Sequence, residues 1–418
     1  MSASRPKLLV LDSSFAYEAI RARGLEESVT CRDLGGFFEH VWTVHPFATL
    51  VTTAVGPRKY GTPETHALTP AHTFIDGKMG RFSWLRRVPG LNFLIGQASI
   101  FAGLVTLVRR NRINVIRAGD PLYLGIFGWL LARVCAIPLV VRVGANHDKM
   151  FLTTGQPIMR RLFRTRRIEK AVERFVLSRA DLVAAANKDN LEFALANGAK
   201  AHSSTLFRYG NLISKSHFTE PRLREEGRNL LAEIGVEPGG FLLYIGRLER
   251  VKHPDDVIRV LAELRRRGHD LKAVLAGDGR LQSELAGLAV ELGVADFLVF
   301  AGNRGQDWLS RVIPLAKVVV SPHTGRALAE AALGAASVVA YDIDWQSELV
   351  ESGVTGELVA HLDLEGMTAA AERLLLTPAY AAAMGNAIRA RALEMLNAEK
   401  LDCHERDQYS NLLNRAQS

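Results

Sequence analysis

The chain has 418 residues, 48% apolar, 23% charged and 7% aromatic, with 35 Gly and 15 Pro. That composition excludes collagen-like, low-complexity and disordered classes, and the length allows two or three domains with cores of their own. The net charge of +8 is uneven: residues 1–220 hold 30 Lys/Arg against 16 Asp/Glu, while residues 221–418 hold 22 against 28, so only the first half points to an anionic partner.

The first apolar run, Leu8–Leu11, is too short for a secretory signal and reads as a strand. Val41–Val44, Val115–Arg117, Leu139–Val143 and Leu182–Ala185 are the further strands of the first half. Leu91–Val108 and Leu122–Val141 approach the length of a membrane span, but Asn92, Gln97 and Ser99 interrupt one, and Arg133 and Pro138 the other. Both read as buried helices, the second passing through Pro138 into a strand. The densest charge is Arg160-Arg161-Leu162-Phe163-Arg164-Thr165-Arg166-Arg167. No zinc-finger, RNP or KH motif accompanies it, so nucleic acid is not the expected partner. An anionic membrane surface touching Arg160–Arg179 fits better, with a solvated helix face as the plain alternative.

In the second half strands are expected at Phe241–Ile245, Lys272–Leu275, Phe297–Phe300, Val318–Val320 and Val338–Tyr341, with helical periodicity over Asp256–Arg267 and Gln282–Leu292. Strand then helix, repeated, predicts an α/β protein of parallel sheets wrapped by helices. The expectation is two Rossmann-like domains, 1–215 and 216–395, facing each other across a cleft, and a last segment, 396–418, packing back towards the first. Cys31, Cys135 and Cys403 lie far apart, which argues against a disulfide framework or zinc site and for a cytosolic protein.

Several motifs are missing. Strand one ends in Leu11-Asp12-Ser13-Ser14 without GxGxxG, and the chain has no GxxxxGK[ST], HExxH or GxSxG, which disfavours nicotinamide, flavin, ATPase and common hydrolase chemistry. Asp342-Ile343-Asp344 spells DxD, a weak metal signal at this late position. The informative residues follow the later strands. Gly246-Arg247 and Lys252 set two cations five residues apart, a pair able to clamp a diphosphate. Gly277-Asp278-Gly279 ends the next strand in a glycine turn. Pro322-His323-Thr324-Gly325-Arg326 opens a helix carrying Glu330, whose carboxylate suits two ribose hydroxyls; helix capping and a surface carboxylate are the plain alternatives.

In this order the motifs resemble the retaining glycosyltransferases of family 4, of GT-B fold. The matching pieces are Tyr244-Ile245-Gly246-Arg247 with Lys252, Gly277-Asp278-Gly279, Phe300-Ala301-Gly302, Ser321-Pro322, Glu330-Ala331-Ala332, Val338-Val339-Ala340, Glu348-Leu349-Val350 and Gly353–Val359. Arg133–Val141, Arg179–Val183 and Gly210-Asn211 match more loosely. The resemblance implies a metal-independent transferase, without a cofactor, whose co-substrate is a UDP- or GDP-linked sugar and whose acceptor is a glycan or lipid-linked glycan. Arg247 and Lys252 would stabilise the departing diphosphate, Glu330 would hold the ribose, and Gly246, Gly277, Asp278, His323, Thr324, Gly325 and Arg326 would line the donor site.

Departures accompany it. Pro322 stands where the family's E-x7-E motif has its first glutamate. Lys252-His253 replaces a Lys-Gly pair, and Asp344-Trp345 replaces a Gly-Gly pair. The glycine pair expected just after strand one is not there; Gly35-Gly36 comes later, after an apparent helix. Gly144 occupies the usual histidine position on the acceptor side, so His147, in the loop three residues on, is the candidate substitute, with Asn146 and Asp120 beside it in role. Two other readings stay open: a nucleotide-sugar epimerase or hydrolase of the same fold, and a non-catalytic nucleotide-sugar-binding subunit.

Overall fold

The computed structural model describes residues 5–51, 56–208, 213–219 and 225–417. It divides into two units, Met1–Leu212 with Ala398–Ser418, and Ile213–Asn397. Gly210-Asn211 lies outside the described residues.

In the first unit the strands are β1 (Lys7–Leu11), β2 (His40–His45), β3 (Glu64–Thr69), β4 (His72–Asp76), β5 (Val115–Ala118), β6 (Leu139–Val143), β7 (Leu182–Ala185) and β8 (Ser204–Leu206). They form one sheet in the order β3-β4-β2-β1-β5-β6-β7-β8, parallel except for the β3–β4 hairpin. Leu8 to Leu11 are all buried because both faces of the sheet are covered, which is why the central strands read as unbroken apolar runs. On one face α1 (Pro89–Asn111), α2 (Tyr123–Cys135) and, beyond α3 (His147–Thr154), α4 (Arg166–Leu177) pack Leu104, Leu131 and Val176 against Leu9, Ile116 and Val141.

The second unit has an all-parallel sheet of β9 (Phe241–Ile245), β10 (Lys272–Ala276), β11 (Leu298–Gly302), β12 (Val318–Ser321), β13 (Val338–Tyr341) and β14 (Glu357–Val359), in the order β11-β10-β9-β12-β13-β14. Helix α5 (Pro254–Arg266) starts on Pro254 with Asp255 and Asp256 in its first turn, favourable for the backbone and the helix dipole, and buries Val257, Leu261 and Leu264. Helices α6 (Gln282–Glu291) and α7 (Arg326–Leu333) cover opposite faces, their Leu285 and Leu328 lying in separate core clusters. The last helix, α8 (Ala398–Gln417), belongs to the first unit: Tyr409 meets Phe38 edge-on at 5.0 Å, and Glu405 lies 3.0 Å from Arg117.

The two expected apolar helices form, with α2 followed by β6 as read, but α1 is not a buried helix. Phe93, Ile100, Leu104 and Val108 face the sheet, whereas Leu91 and Leu94 are 50% and 65% exposed. By length and composition α1 could cross a membrane, and only 28% of its most apolar window is buried. Each sheet has a central strand whose neighbours continue in opposite directions, β1 beside β5 in the first unit and β9 beside β12 in the second. Open α/β sheets form a ligand crevice at such points, beyond the carboxyl ends of the strands.

Candidate active site

In the second unit, β9 runs into Gly246-Arg247 and β12 into Pro322-His323-Thr324-Gly325, so both candidate loops open at the same switch point. Lys252 Nζ stands 3.7 Å from where a Cβ on Gly325 would lie. The cation after one strand therefore meets the amino end of the helix after the other. Gly325 has φ 67° and ψ −125°, a conformation that side chains resist, and caps α7. The first N–H groups of a helix have no intrahelical partner, which suits an anion at that end. Burial, and then the Arg247 guanidinium, hold the Lys252 ammonium below the usual lysine range. Arg247 itself is 68% exposed and lies 3.3 Å from Glu249, while its carbonyl accepts from Tyr244 Oη at 2.9 Å.

Glu330, on α7, is 2% exposed and not a surface carboxylate. Burial raises its pKa against the pull of Arg326, whose Nε is 3.3 Å from Oε1. His323 Nδ1 donates to the Val251 carbonyl at 2.9 Å, and its Nε2 lies 3.5 Å from Asp344 Oδ2. Thr324 Oγ1 bonds to Ser321 Oγ. Gln346 Nε2 donates to the Pro322 and Tyr341 carbonyls at 2.9 and 2.8 Å, pinning the loop after β12 to the end of β13.

Two residues here escaped the reading of the sequence. Gln346 gave no motif signal. Asp344 belonged to the DxD decoy, yet its Oδ1 is buried without a hydrogen-bond partner. Among the described residues no group of three or more His, Cys, Asp or Glu is arranged to hold a metal ion. Asp344 and His253 have φ of 57° and 49°, the left-handed region that glycine adopts most readily, at two positions where the resemblance leads one to expect glycine. Gly277 is present for close approach: a Cβ there would lie 1.8 Å from the Gly246 carbonyl oxygen. Asp278 is exposed, its Oδ1 accepting from Gly279 N–H at 2.7 Å, while its carbonyl accepts from Leu248 N–H at 3.0 Å and ties the two loops together through the backbone.

In the first unit, Asp120 follows β5, two residues before the N-cap Leu122 of α2, and accepts from the Leu122 and Leu124 N–H groups at 2.8 and 3.2 Å, so it satisfies a first-turn N–H of that helix. Burial pushes its carboxyl up to about 6 despite those bonds. Across the switch point Asp12 follows β1 and pairs with Arg32; burial opposes ionisation, but Arg32 and Ser14 hold this carboxyl well below the usual range. Reading Leu11–Ser14 only for glycines missed this pair. At Gly35-Gly36, Arg5 Nη1 donates to the Gly36 carbonyl at 3.0 Å, and Arg406 to the adjoining Leu34 carbonyl at 2.9 Å.

His147 is not in a solvated loop. It opens α3, is 6% exposed, and sets Nδ1 2.7 Å from Glu173 Oε1. Asn146 caps the same helix, accepting from Lys149 N–H at 3.2 Å and donating to Asp189 at 3.1 Å. Arg166 grips both Glu173 oxygens at 2.7 Å and Asp148 at 3.0 Å. Arg166 and Lys170 therefore neutralise acids of this unit rather than face outward, while Arg160, Arg161, Arg164, Arg167 and Arg174 are exposed. A basic helix with acidic residues at three- and seven-residue spacing reads as charge excess until its inward face is known.

Residues 233–391 match the family Glycosyl transferases group 1. The alpha-D-kanosaminyltransferase of Streptomyces kanamyceticus is 28% identical over 259 residues, covering 60% of this chain and 65% of that protein, just under two thirds of its length. In architecture the chain is similar to the sucrose-phosphate synthase of Thermosynechococcus elongatus, with a TM-score of 0.76, 18% identity and coverage of 98% of this chain and 100% of that one. It is similar also to Anabaena HepE in complex with UDP and glucose, with a TM-score of 0.71, 17% identity and coverage of 97% and 100%. At these identities the structural likenesses establish the fold.

Proposed function

We propose that the chain is a family-4 glycosyltransferase that moves a sugar from a nucleotide-diphosphate sugar onto a glycan or lipid-linked acceptor, with retention and without a metal. The observation that carries this reading is Lys252 Nζ against Gly325 at the amino end of α7. A diphosphate there meets an ammonium disfavoured by burial and then by its neighbour Arg247, and its charge restores the balance. Glu330 accepts from the ribose hydroxyls. The acceptor oxygen bonds to the anomeric carbon as the bond from that carbon to the phosphate oxygen breaks, and its proton leaves on the departing nucleoside diphosphate. Asp344 supplies the carboxylate that Pro322 lacks, accepting from a donor-sugar hydroxyl; its buried, unpartnered Oδ1 favours this role. His147, held by Glu173, and Asn146 and Asp120 serve the acceptor side. The exposed Arg160, Arg164 and Arg167 attract the anionic inner surface of a membrane that carries the acceptor.

The test is turnover of a panel of nucleotide sugars with and without polyprenyl-phosphate-linked glycans and free glycans. Release of nucleoside diphosphate that requires an acceptor supports the transferase. Conversion of donor alone supports the epimerase or hydrolase, and binding without turnover on any acceptor supports the non-catalytic subunit.

A further inference from the structure

The first turns of α1 are built inside out. Its polar residues point inward: Asn92 is 1% exposed, donating to the Phe82 carbonyl at 2.6 Å and accepting from the Phe82 N–H at 2.9 Å. Gln97 is 7% exposed, donating to the Pro46 carbonyl at 3.1 Å and accepting from Tyr123 Oη at 2.7 Å. Its apolar residues point outward. Leu91 and Leu94 are exposed, and so are Phe82, Trp84 and Val88 of the preceding segment, at 39%, 73% and 50%, the Phe82 and Trp84 rings lying 5.7 Å apart. Large apolar side chains packed this closely along a soluble surface mark an interaction site, whereas scattered ones need no explanation.

Charge identifies the occupant. Of the Lys/Arg between Gly77 and Gly119, Lys78 and Arg117 are paired with Glu64 and Glu405, and Arg109, Arg110 and Arg112 lie at the far end of α1. Arg86 and Arg87, between Trp84 and Val88, are both exposed, Arg81 is half-buried, and residues 77–119 contain no Asp/Glu. A protein partner needs no such one-sided charge. An anionic bilayer does: arginines reach the headgroups along their stems while Trp84 sits at the interface. Helix α1 cannot both span the membrane and stay in place, because Ile100, Leu104 and Val108 are core residues of the sheet and Asn92 and Gln97 are committed to internal hydrogen bonds.

We propose that residues 82–94 form a wedge that inserts Trp84, Val88, Leu91 and Leu94 into the headgroup region of an anionic bilayer. This deepens the reading above by naming the surface that brings the protein to a lipid-linked acceptor, and it rests on that reading for the acceptor but not for the binding itself.

The test is co-sedimentation of the full chain with vesicles of phosphatidylcholine alone or with one third phosphatidylglycerol. Wild type, Trp84→Ser/Leu94→Gln and Arg160→Glu/Arg164→Glu/Arg167→Glu are compared in low and molar salt, each checked by circular dichroism. The wedge predicts binding to the anionic vesicles that partly survives molar salt, at least about tenfold weaker partitioning for the apolar variant, and quenching of tryptophan fluorescence by brominated lipid that Trp84→Ser removes. Absence of binding to anionic vesicles overturns it. So does binding that the apolar variant retains and the charge-reversed variant loses, or a concentration-dependent dimer that the apolar variant abolishes, which would make the occupant a second copy. Calorimetry with UDP and GDP on the same samples keeps failure of the wedge distinct from failure of the nucleotide-sugar reading.

Discussion

Glu173→Leu and Arg166→Met test whether the buried cluster behind His147 works as a unit. Glu173 is fully buried and receives two Arg166 bonds at 2.7 Å, with His147 Nδ1 at the same distance. Removing one partner of a buried pair costs about 3–5 kcal/mol, because the other is left desolvated and unpaired. Glu173→Leu belongs at the low end, about 3 kcal/mol, since Arg166 keeps Asp148 at 3.0 Å and Glu169 at 3.4 Å. Arg166→Met belongs at the high end, about 5 kcal/mol, since it leaves Glu169 and Glu173, both 0% exposed, as neighbouring carboxylates without a cation. The double variant replaces the pair by apolar groups and should fall well short of the sum, a coupling of at least about 2 kcal/mol. Urea unfolding at neutral pH, followed by circular dichroism and by fluorescence of Trp42, Trp84 and Trp129 in the first unit, measures this. Single variants within about 1 kcal/mol of wild type, or strictly additive losses, refute the reasoning.

Asp120→Asn tests the raised carboxyl: a folded-state pKa of about 6 against 3.8 unfolded means stability is full below pH 4 and falls as pH rises through 6. The variant keeps an oxygen for the Leu122 and Leu124 N–H groups and should flatten the melting-temperature profile between pH 4 and 6, by up to about 3 kcal/mol. Gly277→Ala forces a methyl against the Gly246 carbonyl oxygen and should destabilise the second unit by about 1–3 kcal/mol in thermal melts. Asp344→Asn should leave nucleoside diphosphate affinity within about twofold while raising the donor KM about tenfold, the loss of one hydrogen bond to a charged acceptor.

The strands that positioned the candidate residues were legible because parallel sheets covered on both faces need unbroken apolar runs, as Leu8–Leu11 and Phe241–Ile245 do. The β3–β4 hairpin, β8 and β14 were not. Glu64–Thr69 is mostly exposed, and Ser204–Leu206 and Glu357–Val359 are three-residue edge strands with little burial to write into composition. Arg247, Lys252, Gly325 and Glu330 could be picked out because strand ends and helix starts have local signatures. Asp344, Gln346 and the Asp12–Arg32 pair could not, since their meaning lies in contacts across different strand ends. Burial of Arg166 and exposure of Leu94 share that cause: which face of a helix turns inward is decided by its neighbours, and α1 buries its polar residues.

The most direct test of the central claim is calorimetric titration of UDP and GDP into wild type and Lys252→Met, which keeps the stem and removes the charge. Loss of one charge-assisted contact of about 1.5–3 kcal/mol predicts a Kd about ten- to a hundredfold weaker for the diphosphate that wild type binds. An unchanged Kd in the variant, or no binding of either diphosphate by wild type, would contradict it.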